Sequence, residues 1–295
     1  MIKLNHLAST FSIVAFDPKT RNLGVAVQSR YFSVGTAVPW AQARVGAVAT
    51  QSFVNISYGP RGLKLLKKGL SVNEVIEKLT NKDKSRDYRQ LGIIDAKGNP
   101  AAYTGSKCMH WAGSKIGKNY TAQGNILSNE RVVQNMGKKF ETTKGDLADR
   151  LIAALEGGQE AGGDARGKQS AALLVVGERK SKTGYGDRLI DLRVEDHPEP
   201  IAELKRLLRL HRVYSLIDEA EEIFTRGNHK KAITTIKEAI ELNPTSDDAY
   251  IDLGMAYVKM GRTQEARRAF NKATSLNPNM KTVIDQLAKR NFSLE

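Results

Sequence analysis

A pattern of 34 residues recurs once near the C-terminus, and it restricts the fold of that region more than any other feature of the chain. AIELNP ends at Pro244 and ATSLNP at Pro278. Counting back from each proline, Ala239 matches Ala273, Ile236 matches Phe270 and Ala232 matches Ala266. Further back, Gly227 matches Gly261, Ile223 matches Tyr257 and Ala220 matches Gly254. A period of this length marks a repeated unit that cannot bury its apolar face alone and gains a core by stacking on its neighbours. The expected units are 213–246 and 247–280, followed by a capping helix over 281–291. Such stacks need about three units, so the array is expected to lean on the rest of the chain or on a second chain.

The charge changes at the same place. Residues 213–295 hold 12 Lys+Arg and 12 Asp+Glu, whereas residues 1–212 hold 34 against 20. The whole net charge of +14 therefore sits in the first 212 residues, which supports a boundary near Val213. Basic excess suits nucleic acid or an acidic substrate. Here the basic residues are scattered from Lys3 to Arg212 without interleaved aromatics, and they read as a solvated surface, so no nucleic-acid partner is expected. The densest group, Arg179-Lys180-Ser181-Lys182, reads as a loop between two strands.

The one cysteine, Cys108, excludes an internal disulfide framework and a cysteine-based zinc site. The five histidines form no HExxH motif. No metal and no cofactor are expected. Cys108 and His110 lack a third group to complete a nucleophilic set, so Cys108 reads as incidental. No apolar run approaches the ~20 residues that span a bilayer, and MIKLNHLAST lacks the apolar stretch of a signal peptide. These features fit a soluble, cytoplasmic protein.

The first 200 residues read as strands, a helix pair, strands, a helix pair and strands. Thr10–Asp17 and Leu23–Gln28 form a hairpin, and Arg44–Thr50 is a third strand. Gly59-Pro60 opens a helix to Leu66, and Ser71 with Glu74 has capping-box spacing before a second helix. Leu91–Asp95 and Pro100–Thr104 form another hairpin, and Tyr120–Gln123 is a short strand. Helices over Asn129–Phe140 and Asp146–Gln159 precede strands Ser170–Val176 and Leu189–Val194. This order lacks the regular strand–helix alternation of a parallel sheet and suits two antiparallel sheets with helices outside. Pro198-Glu199-Pro200 breaks the chain, and residues 198–212 read as a connecting helix.

The repeat of 34 residues resembles the tetratricopeptide repeat, whose unit is two antiparallel helices. That resemblance implies a groove for a protein or peptide partner through residues 213–295. A helical appendage that only stabilises a dimer fits the same residues, and a homo-oligomer is expected.

TFSIVAFDPKTRNLGVAVQSRYFSVGTAVPWA, GAVATQSFVNISYGPRG, TAQGNIL and GGQEAGGDARGKQSAALLVV together resemble the domain of unknown function 1028, a family grouped with the N-terminal nucleophile (Ntn) hydrolases. The resemblance implies an α+β fold, a four-layer αββα sandwich of antiparallel sheets, over residues 10–197. It also implies a reaction. A Thr, Ser or Cys becomes the first residue of the mature chain, its side chain attacks an acyl carbon, and its own amine is the base. Taken alone, Thr10 is a β-prone residue at a strand start; the resemblance makes it the candidate nucleophile. Residues 1–9 would then be an extension or propeptide removed before catalysis.

Further roles follow only from the resemblance. Asn125, with Gly124, would donate to the oxyanion or hold the amine, or else mark a turn. Arg30 would set a cation near the nucleophile. Gln51 and Ser52 would end a strand whose backbone N–H groups stabilise the oxyanion. Asp164 would orient the amine or hydroxyl, paired with Arg166 and close to Ser170. Tyr58 and Arg61 would line a pocket for an acidic substrate group, or open a helix. The lysine that proteasome-type sites place beside the threonine has no counterpart in VGTAVPWAQA, which weighs against a peptidase. Two readings follow: an amidohydrolase acting on a small, non-peptide C–N amide, or a non-catalytic scaffold with a degenerate hydrolase fold joined to an interaction module.

Overall fold

The computed structural model describes residues 7–8, 10–177 and 187–289. The basic group Arg179–Lys182 and most of the segment before Thr10 lie outside the described residues. The chain divides into two compact units, Met1–Lys205 and Arg206–Glu295. No described helix is long and apolar enough to cross a membrane.

In the first unit a two-residue strand, Leu7–Ala8 (β1), precedes Thr10–Phe16 (β2) and Leu23–Ser29 (β3). Asp17 builds the turn between β2 and β3, accepting the Lys19 backbone N–H at 3.1 Å and the Thr20 hydroxyl at 2.8 Å. Both strands are buried on both faces, which is why they read as near-continuous apolar runs. Pro39–Gln42 (β4) and Gly46–Phe53 (β5) follow, then helices Tyr58–Lys67 (α1) and Val72–Thr80 (α2). The capping box at α2 is formed: the Glu74 N–H donates to Ser71 Oγ at 3.4 Å, and the Ser71 N–H donates to the Glu74 carboxylate at 2.8 Å.

Arg89–Asp95 (β6) and Pro100–Thr104 (β7) form the next hairpin. Asp95 holds its turn by accepting the Lys97 and Asn99 N–H groups, each at 2.9 Å. Gly113–Gly117 (β8), Tyr120–Asn125 (β9), Arg131–Thr142 (α3), Leu147–Glu160 (α4), Ser170–Val176 (β10) and Arg188–Val194 (β11) complete the unit.

The strands form two antiparallel sheets. One runs β1-β5-β6-β7 with β4 also on β5, and the other runs β11-β10-β3-β2-β9-β8. The sheets face each other across a core in which Val14, Val25, Val27 and Leu174 meet Ala47, Ala49 and Ile94. Leu63, Leu66, Val75 and Leu79 of α1 and α2 cover the outer face of the first sheet, against Val48, Leu91 and Ile93. On the second sheet, α4 lies so close that a Cβ on Gly24 would come within 2.5 Å of Leu151. β4 and β8 were not expected from the sequence, and neither was the short β1.

A single helix, Pro200–Thr225 (α5), runs where the sequence placed a connecting helix ending at 212 and a repeat starting at 213. No proline or glycine stands between Pro200 and Gly227 to end it sooner. His229–Leu242 (α6), Asp247–Lys259 (α7), Thr263–Leu276 (α8) and Met280–Lys289 (α9) follow. The matched glycines terminate helices. Gly227 and Gly261 have φ of +85° and +70°, and their N–H groups donate to Phe224 O and Val258 O, each at 2.9 Å. Gly254 is small because the Phe270 ring lies on it; a Cβ there would meet Phe270 Cε1 at 2.5 Å. Ala220, Ala232, Ile233, Leu253, Tyr257 and Phe270 belong to the shared core.

Candidate functional site

Strand register brings Ser170, Ser29, Thr10 and Asn125 side by side. Ser170 pairs with Ser29, Ser29 with Thr10, and Thr10 with Asn125, so one row crosses β10, β3, β2 and β9. Residues directly opposite in an antiparallel pair share a face, and this is the face turned toward the first sheet. All four side chains are fully buried. Thr10 Oγ1 donates to Ser29 Oγ at 3.2 Å. Ser170 Oγ accepts the Val34 N–H at 3.1 Å and donates to the Tyr31 carbonyl.

An amide network from the first sheet closes on this row. Gln51 Nε2 donates to the Thr10 carbonyl at 3.3 Å and to Gln90 Oε1 at 2.8 Å. Gln90 Oε1 also accepts from Asn125 Nδ2 at 2.9 Å, and Gln90 Nε2 donates to Gly124 O at 2.7 Å. One step inward, Ser12 Oγ donates to Gln51 Oε1 and Gln123 Nε2 donates to Ser12 Oγ, both at 2.6 Å. Gly92 makes room for that amide, since a Cβ there would lie 2.2 Å from Gln123 Oε1. A cluster of this kind between two sheets is costly unless its members satisfy one another.

The segment before Thr10 enters from the other sheet. Leu7 pairs with Phe53 and Ala8 with Ser52 on β5, whereas Thr10 already pairs with Ser29. The chain therefore passes from one sheet to the other between Ala8 and Thr10. Ser52 is buried and adopts φ +69°, a left-handed conformation rare outside glycine.

Of the residues anticipated from the sequence, Thr10, Asn125, Gly124, Gln51 and Ser170 meet at this row. Arg30 does not place its cation there. Its side chain is exposed and reaches the Lys168 carbonyl at 3.4 Å, because its backbone N–H is fixed on Asp164 Oδ2 at 2.9 Å. Asp164 pairs with Arg166 at 3.0 Å, as anticipated. Tyr58 and Arg61 lie on α1, on the outer side of the first sheet. Arg61 is exposed, and the Tyr58 hydroxyl donates to Asp83 at 2.9 Å. Ser29, Ser12, Gln90 and Gln123 were missed. Isolated polar residues within strands look solvent-facing until the strand order is known.

Cys108 lies half-buried with Sγ 3.3 Å from the Arg89 carbonyl, and burial pushes its thiol up, away from the thiolate form. Among the described residues no group of His, Cys, Asp and Glu is arranged to hold a metal ion.

Asp83 carries the clearest pH signature in this unit. Burial by itself would raise its pKa. Hydrogen bonds from Arg89, the Ser85 N–H, Asn55 and Tyr58 outweigh that and hold the carboxyl well below the usual range. A depressed folded-state pKa stabilises the fold above the unfolded value of ~3.9, and this contribution is lost as pH falls below it. The fall in urea midpoint between about pH 5 and about pH 3 is expected to be smaller for Asp83→Asn than for the parent chain. An equal fall would refute this assignment.

The helical unit has a cavity of its own, of about 210 Å3, between α5, α6 and α7. Ile217, Phe224, Ile236 and Met255 supply apolar walls, and Glu221 and Asp252 supply carboxylates.

Comparison with known proteins places both parts of the chain. The description "family of unknown function (DUF1028)" matches residues 10–204, and that of the tetratricopeptide repeat matches residues 217–287. The crystal structure of protein SPO2555 from Silicibacter pomeroyi, which carries the same DUF1028 description, aligns with a TM-score of 0.63 at 31% identity. That alignment covers 68% of this chain and 88% of the other. Anaphase-promoting complex subunit 3 of Schizosaccharomyces pombe is 28% identical over 91 residues, 30% of this chain and 14% of that protein. The chain thus spans only a small part of that curated relative.

Proposed function

The chain belongs to the family of unknown function DUF1028, and from that starting point we propose that residues 10–197 are an amidohydrolase of the N-terminal nucleophile type, a four-layer αββα sandwich with Thr10 as nucleophile on a small non-peptide amide. The observation that carries this reading is the row around Thr10. Its hydroxyl stands at the start of β2 beside Ser29, its carbonyl is held by Gln51, and Asn125 stands opposite. Asn125 is the candidate donor to the oxyanion, and the Gln51–Gln90 pair orients it.

The amine must first be released. Thr10 Oγ1 attacks the Ser9 carbonyl carbon and loses its proton, the C–N bond to Thr10 breaks, and the Thr10 nitrogen takes a proton. The ester so formed is hydrolysed by water, giving a leader carboxylate and a threonine with free hydroxyl and amine. A free α-amine ordinarily titrates at ~7.7–8.0, which suits it to general base work near neutral pH. Intact-mass measurement of the purified chain tests the step. A product beginning at Thr10 is expected, and a homogeneous folded chain that keeps residues 1–9 while turning over amides would refute it.

A second reading concerns the helical unit alone and rests on its cavity. Stacked helical repeats with an open apolar groove suit binding of a protein segment. This role is compatible with catalysis in the first unit and does not require it.

A further inference from the structure

Building on the interaction reading of the helical unit, we propose that its cavity takes a cationic, apolar peptide segment, with Lys or Arg side chains on the Asp252–Glu221 side and aliphatic side chains on the Ile217–Phe224 wall. The walls favour an apolar ligand: Ile217, Phe224 and Met255 line the cavity and stay part-exposed, and the buried Ile236 lines it as well. The charges favour a cation. Asp252 on α7 is largely removed from water and stands among Asp248 of its own helix and Glu221 and Asp218 of α5. Burial first, and then repulsion from those three acids, pushes its carboxyl up to about 6. Among the described residues no lysine or arginine forms an ion pair with Asp252, and α6 contributes only Ile236 to the lining.

The one cation in the lining is already engaged, because Lys259 Nζ lies over the Phe224 ring at 5.2 Å. Asp248 accepts the Tyr214 hydroxyl at 2.9 Å and keeps its charge turned to this side of α7. A bound ammonium or guanidinium would relieve the repulsion around Asp252 and bring its carboxyl back down toward the ordinary range. The rest of the molecule sharpens the choice. The net charge of +14 sits in residues 1–212, so a cationic peptide is repelled there.

The experiment uses the full chain and a short fluorescein-labelled peptide of alternating Leu and Lys, read by anisotropy at about 0.15 M salt. Alternating Leu–Ser and Ser–Lys peptides are the controls. Saturable binding of Leu–Lys is expected, about tenfold tighter than either control. Asp252→Asn is expected to weaken it about tenfold. This variant removes a like-charge repulsion, so its melting temperature should hold or rise, which separates lost binding from lost folding. Lowering the pH from about 7.5 to about 5.5 should weaken binding to the parent chain as Asp252 protonates, and less so in D252N.

Equal affinity for Leu–Ser and Leu–Lys would overturn the cation choice while leaving a peptide groove in place. Leu–Lys binding unchanged in D252N would overturn the site. No binding of any peptide would overturn both this proposal and the interaction reading beneath it.

Discussion

Thr10→Ala is expected to leave residues 1–9 attached and to abolish amide turnover, by roughly three orders of magnitude or more against the processed parent. The size of the effect follows from the economy of the mechanism, in which one residue supplies both nucleophile and base. Without the hydroxyl nothing attacks the Ser9 carbonyl, the amine stays locked in a peptide bond, and both halves of the catalytic apparatus vanish together. The fold should survive. Thr10 is buried with its hydroxyl on Ser29, and losing that hydrogen bond costs about 1 kcal/mol. A melting temperature close to the parent, alongside loss of cleavage, separates chemistry from collapse. Thr10→Ser keeps the hydroxyl and should restore cleavage by mass spectrometry, whereas Ser29→Ala should slow it by no more than about tenfold. An uncleaved or alanine-substituted chain that still hydrolyses amides would end the case for Thr10.

How much of this was readable beforehand depends on whether a feature is local. The β2–β3 hairpin is written in a buried apolar run, a turn built on Asp17 and a second run. The start of α2 is written in Ser71 and Glu74. β4 and β8 are not written locally. PWAQ begins with a proline, and GSKIG is bracketed by glycines; each is a strand only because β5 or β9 offers it an edge. The charge step near Val213 is real in the sequence, yet α5 runs straight through it, because a change of surface charge does not break backbone hydrogen bonds. The site divides the same way. Thr10, Asn125 and Ser170 could each be picked out at the ends of strand-like segments. Their meeting in one row is a matter of register between strands distant in sequence. The Gln90 and Gln123 amides gain meaning only once two sheets are stacked. Tyr58 and Arg61 read as pocket residues or as the opening of a helix, and they begin α1 on the outer side of its sheet.

Asp164→Ala should destabilise the first unit strongly. The sequence offers Asp164 as a group that orients the amine or hydroxyl of Thr10, paired with Arg166, and the geometry also makes it a clamp. The carboxylate accepts the Arg30 N–H at 2.9 Å, the Arg166 N–H at 2.9 Å, and Arg166 Nε and Nη2 at 3.2 and 3.0 Å. Its side chain is fully shielded from solvent. The Asp164 backbone forms a β-bridge with Leu127, which the substitution keeps, whereas the carboxylate alone ties this segment to the one after β3 through the Arg30 N–H. Removing a buried, fully engaged carboxylate and leaving its donors behind costs about 3–5 kcal/mol. In a unit of this size that lowers the melting temperature by roughly 10 °C. Asp164→Asn keeps one acceptor oxygen and the shape, and should recover part of the loss. If the clamp is the whole role, release of residues 1–9 declines in step with stability across the two variants. A D164A chain that melts within about 2 °C of the parent would show that these hydrogen bonds carry little of the fold. A D164N chain that keeps its stability yet is never cleaved would move Asp164 from the scaffold into the chemistry at Thr10.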